Sequence, residues 1–171
     1  MSEPGVRPGG LTALAVINFV WAAFTFISGF AAVSSPFYMP ALAAQAEKAA
    51  ANESRPEKQK EATEAAVHMR EVSNQITLHK ELVMLDGGAK LVLGLLLILS
   101  GIGYLKLRRF LGRTLGLVYA TVAVLWGCAV LLWVQKEMGE SPGIFSLIGF
   151  IYPAVTIFAL LVTFRDDFVN P

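Results

Sequence analysis

Apolar and polar positions fall in long blocks along this chain. Four blocks are apolar almost throughout: Leu11–Val33, about Leu82–Leu105, about Leu111–Val134 and about Gly143–Phe164. A helix rises about 1.5 Å per residue and the hydrocarbon layer is about 30 Å thick, so about 20 apolar residues cross it. Each block meets that length. The pattern predicts an all-α fold, a bundle of four transmembrane helices, with tails at residues 1–10 and 165–171. The connections "KLRRF" and "QKEMGESPG" are short, whereas a polar insertion, residues 34–81, separates the first two blocks.

The insertion has its own helical pattern. "PALAAQAEKAAANE" is built from strong helix formers, and Pro40 suits a first helical turn. After a break at "ESRPEKQKE", Ser54 and Glu57 stand three apart around Pro56, the spacing of a capping box. Beyond it Ala62, Ala65, Met69, Val72, Ile76 and Val83 recur on a seam interrupted at His79. No proline or strong turn signal follows, so Glu57–Leu105 is expected to be one helix, folding back on Pro40–Asn52 as an extramembrane hairpin. A companion that short would leave Val72 and Ile76 exposed, with Met69 preceding them on the same seam. The three are the candidate interface for a partner protein or a second copy of the chain.

Two charges sit at the start of the second span. Asp86 and Lys90 are four apart with the acid first, the favourable order for a helical pair. They read either as an interfacial pair, with Lys90 reaching out to the headgroups, or as an intramembrane ion site. Depth favours the first, because "LVLGLLLILSGIGYL" beneath Lys90 is uncharged. Gly87, Gly94 and Gly101 repeat every seven residues, and Gly112 and Gly116 lie four apart. Such spacing lets helix backbones approach closely in lipid. Pro153 predicts a kink in the fourth span, and Asn18 a hydrogen bond to a neighbouring helix. Trp133, Tyr104, Phe37 and Tyr38 fall near span ends, as interfacial aromatics do.

Composition agrees with a membrane class: 55% hydrophobic, 16% charged, mean hydropathy +0.58. A net charge of +1 gives no clustered basic excess for nucleic acid as a partner. The single cysteine, Cys128, excludes an internal disulfide and the paired cysteines of membrane thiol oxidoreductases. The first block is longer than the 7–15 residues of a signal core, so a retained span is expected despite small residues near Ser34 and Ser35. Lys106, Arg108, Arg109 and Arg113 crowd one turn, with Arg7 and Arg165 on the same side. The positive-inside rule then puts both termini in the cytoplasm and the insertion outside.

Catalytic and metal chemistry is not suggested. Glu61, Glu64, His68 and Glu71 share a helical face, but a buried di-metal centre would need Glu-x-x-His motifs that the spans lack. They read as a solvated face, and "NES" at Asn52–Ser54 matches a glycosylation sequon by three residues only. No cofactor is implied. "RPGGLTALAV" and "LLLILSGIGYLKLRRFLGRTLGLVYA", about a third of the chain, resemble uncharacterised small multi-pass proteins of bacterial inner membranes. The resemblance implies that location and no activity. The expected function is non-catalytic: an accessory or scaffold subunit that binds a partner through the external hairpin. The alternative is a small oligomeric transporter or channel using Asp86 and Lys90.

Overall fold

The computed structural model describes residues 9–138 and 144–164, and these are helical apart from short connections, with no strand among them. In chain order they form α1 (Gly9–Asn52), α2 (Pro56–Leu78), α3 (Lys80–Leu105), a π-helical turn (Arg109–Thr114), α4 (Leu115–Met138), α5 (Ile144–Phe158) and a second π-helical turn (Ala159–Thr163). Three described helical stretches are long and apolar enough to cross a membrane: Gly9–Asn52, Lys80–Leu105 and Arg109–Lys136. A shorter apolar helix covers Gly149–Thr163. Arg7, Gly143 and Arg165, with most of both tails, lie outside the described residues. The chain divides into two compact units, residues 1–26 with 92–171, and residues 27–91.

The first correction to the sequence reading is α1. It does not stop at Val33 and restart at Pro40; it runs 44 residues with Pro36 and Pro40 inside it. A proline inside a helix removes the bond from its own nitrogen to the carbonyl four residues back. For Pro36 that carbonyl belongs to Ala32, and the Ser35 hydroxyl donates to it at 2.9 Å. Ser34 donates likewise to the Phe30 carbonyl at 2.6 Å. Ser35 thus supplies a donor in place of the one Pro36 lacks, and the helix continues.

The second correction is at His79. The expected single helix Glu57–Leu105 is two, because His79 leaves helical geometry (φ −106°, ψ 28°). The break is shallow: His79 N–H still reaches the Gln75 carbonyl and Val83 N–H the His79 carbonyl, both at 3.0 Å. The interruption in the hydrophobic seam was its signal. The capping box is also absent, since α2 is capped at Arg55 without a side-chain bond. Glu53, not Ser54, serves the turn, its carboxylate accepting from Arg55 N–H at 3.2 Å.

In the unit 27–91, α1 runs antiparallel to α2 and the start of α3. The order of contacts shows it: Gly29 and Val33 meet Gly87, Phe37 lies under Lys80, and Glu47 pairs with Arg70. Its seam keeps the expected Ala62, Met69 and Ile76 but takes Ala66 and Ser73 in place of Ala65 and Val72. Ala66 and Ser73 are buried with Ala62, Met69 and Ile76 partly so, while Ala65 and Val72 are exposed. Ala43 and Ala50 are the buried alanines of α1. The companion helix therefore extends well beyond Pro40–Asn52, and Ile76 is partly covered within the chain.

In the other unit two clusters make the core. One gathers Leu11, Leu14, Ala15, Tyr104, Leu107 and Leu160; the other gathers Ala22, Leu93, Leu97, Tyr119, Ala120 and Tyr152. Tyr104 is fully buried. It lies at the end of α3 as expected, with its ring packed inside the cluster and not on the outer face of the helix.

Candidate functional site

Three features of the molecule could carry function. They are a buried polar network, a basic turn and the hairpin of α1 and α2.

The network begins at Asn18, ten residues into an apolar helix and fully buried. Its amide nitrogen donates to Ser100 Oγ at 2.7 Å and to the Leu97 carbonyl at 3.3 Å, both on α3. Its amide oxygen accepts the Tyr152 hydroxyl from α5. Ser100 donates on to the Leu97 carbonyl at 3.1 Å, and Thr156 to the Tyr152 carbonyl at 2.9 Å. Both donor hydrogens and the acceptor of Asn18 are thereby used, as burial of an amide requires. Trp21 and Tyr119 flank Tyr152, with ring centroids 5.2 Å and 6.4 Å away. Three helices are tied at one point by neutral groups. The sequence singled out Asn18 alone; Ser100, Tyr152 and Thr156 were missed, although a serine and a threonine inside apolar spans were the available signal.

The basic turn joins α3 to the first π-helical turn. Leu107 N–H bonds the Tyr104 carbonyl at 3.4 Å and Arg108 N–H bonds the Gly103 carbonyl at 3.0 Å. Those two bonds make a Schellman motif with Leu107 at the left-handed position. Leu107 does have φ 51°, normally reserved for glycine because a leucine there costs about 1–2 kcal/mol. Burial of its side chain in the Leu11 cluster offsets that. The backbones beneath the turn are pressed together: a Cβ on Gly103 would collide with the Leu111 and Gly112 main chain. Leu107 is buried, while Lys106, Arg108 and Arg109 are exposed and Arg113 is half-buried.

In the hairpin, Glu47 and Arg70 pair at 2.6 Å across α1 and α2, largely in solvent. A shallow groove beside them is lined by Ala50, Thr63, Ala66 and Val67. Met69 and Ile76 are half-buried and Val72 is 36% exposed, on the flank of the seam. Asp86 and Lys90 pair with each other at 2.5 Å, partly buried, within the first turns of α3. Lys80 caps the Phe37 ring 5.0 Å from its centroid.

The predicted glycines are placed as follows. A Cβ on Gly87 would lie 2.8 Å from the Gly29 carbonyl, one on Gly94 3.0 Å from the Phe26 ring, and one on Gly101 3.1 Å from the Phe19 ring. Gly112 is buried under the turn, and Gly116 lies against Leu160 and the Tyr104 hydroxyl. Glu61, Glu64, His68 and Glu71 are all exposed, and the described residues hold no cluster of three or more His, Cys, Asp or Glu able to bind a metal.

No family model, no curated protein and no solved structure matches the chain.

Proposed function

We propose that the protein is a non-catalytic integral membrane subunit of the bacterial inner membrane. It crosses the bilayer four times with both termini cytoplasmic, and binds a partner protein or a second copy through the hairpin of α1 and α2. One observation carries this reading. The hairpin seam is filled by small residues, Ala43, Ala50, Ala66 and Ser73, which let two helices approach closely. The larger apolar side chains of α2 are displaced to the flank, so Met69, Val72 and Ile76 form an i, i+3, i+7 stripe that α1 covers only in part. Leu42 of α1 is likewise 41% exposed. A stripe of that kind on a well-packed hairpin suits an incoming helix.

The alternative, a transporter or channel using Asp86 and Lys90, draws support from two charges lying in an apolar helix. Their mutual 2.5 Å contact neutralises them as a pair and weighs against it. Three spans rest on the apolar length of the described helices, the fourth on the shorter apolar helix Gly149–Thr163 and the apolar run of the sequence around it, and the orientation on the basic turn.

The test is the mass of the native assembly in mild detergent, for the parent and for Val72→Glu with Ile76→Glu. Val72→Glu alone serves as the variant less disturbing to the seam. Loss of mass to that of a single chain, with helicity retained, is expected. An unchanged assembly in both variants, every partner retained, overturns the interface.

A further inference from the structure

The turn between α3 and α4 holds more than an excess of charge. Lys106, Arg108, Arg109 and Arg113 lie within eight residues, and no Asp or Glu occurs from Gly87 to Lys136. For sorting a span across a membrane, mobile charges would suffice. Here the backbone that carries them is fixed by the Schellman bonds, by the buried Leu107 side chain and by the apposed Gly103 and Gly112. Arg108, extended at φ −82° and ψ 122°, and Arg109, the first residue of the π-helical turn, are both exposed. Phe110, the next residue in sequence, is 62% exposed, a large apolar side chain following two exposed arginines.

That combination has a natural complement. Guanidinium groups present forked donors that match phosphate oxygens, and a rigid mount lowers the ordering cost of binding. Phosphate by itself gives Phe110 nothing to cover, whereas a phospholipid brings the anion and an apolar chain together. We propose that the α3–α4 turn is a binding site for the headgroup of an anionic phospholipid. Arg108 and Arg109 hold the phosphate, and Phe110 lies along the acyl chain. This rests on the four-span reading above, which puts the turn at a bilayer surface. It goes beyond that reading by making the turn a specific site and not only a topology signal.

The test uses the full chain in detergent micelles, where orientation across a membrane plays no part. Native mass spectrometry compares retention of phosphatidylglycerol and phosphatidylcholine. The parent chain is expected to retain the anionic lipid preferentially. Arg108→Gln with Arg109→Gln is expected to weaken it about 30-fold, the effect of two charges at about 1 kcal/mol each. Arg108→Lys with Arg109→Lys keeps most of the preference, and Lys58→Gln with Lys60→Gln on α2 leaves it unchanged. Equal retention of the two lipids by the parent overturns the proposal. So does saturable binding of inorganic phosphate as tight as that of the lipid, which would make this a site for a free anion. Release of the parent chain from native membranes by alkaline carbonate defeats the four-span reading instead, whatever the lipid result.

Discussion

The two units use polar groups in opposite ways. In residues 1–26 with 92–171 a neutral, fully buried network links helices far apart in sequence: Asn18, Ser100 and Tyr152 on α1, α3 and α5. Residues 27–91 add two charged, partly exposed pairs to the local serine and threonine bonds of their helices: Glu47 with Arg70, and Asp86 with Lys90 one turn along the same helix. The packing differs to match. The first unit interlocks tyrosines with leucines and small residues, while the second presses alanines and glycines together. Between lipid-facing helices water supplies no driving force, so geometry and hydrogen bonds must choose the partner. Where water is present, apolar closure does that work and exposed ion pairs add little.

The contrast can be broken most severely at Gly103. Gly103→Leu places a side chain where the Leu111 and Gly112 backbones already lie. No flexible neighbour can yield, so we expect a loss of about 3 kcal/mol or more in detergent unfolding. A change within 1 kcal/mol would show that the turn opens readily. Next is Asn18→Leu, which leaves Tyr152 and Ser100 without their shared partner and should cost about 1–2 kcal/mol in the same assay. A stabilised variant would mean that the network selects a helix arrangement at the expense of stability. The smallest effect belongs to Asp86→Asn with Lys90→Gln, below about 1 kcal/mol, with membrane insertion and assembly unchanged. Normal accumulation with lost cellular activity would instead make the pair a working site.

How much of this was legible beforehand varied with the kind of signal. Long apolar runs announced the helices, because lipid-facing and core positions alike must be apolar. The same uniformity hides most of the interior: in α3 the buried Leu97 and Tyr104 carry no mark that separates them from the exposed Val92, Leu95 and Leu99, and only the polar Ser100 stands out. Tyr104 stands near a span end, as interfacial aromatics do, and nothing in the periodicity announces that its ring is buried in the Leu11 cluster. Proline misleads at Pro36 and Pro40, both inside α1; at Pro36 the general rule of helix breaking is answered locally by Ser35, which donates to the Ala32 carbonyl. At Ala65 the expected seam of α2 is off by one residue because alanine stands at both 65 and 66, and periodicity cannot choose between equal side chains. Val72 was then assigned in place of Ser73, since a buried serine in an alanine-rich seam carries no hydrophobic signal. In the basic turn the charges were plain, but the conformation of Leu107 was not. The expected residue at such a helix end is glycine.

Leu107 has a consequence for how this molecule can change over time. Its backbone angle of φ 51° favours glycine or asparagine, while its buried side chain sits in a space shaped for leucine. Valine and isoleucine fill the space but are disfavoured twice over by their branching, and glycine relaxes the chain while leaving a hole. No single replacement meets both demands. A lineage could vary this position only by enlarging Leu11, Leu14 or Leu160 at the same time, so drift here would be recorded as coordinated substitutions in α1, the turn and the last helical segment.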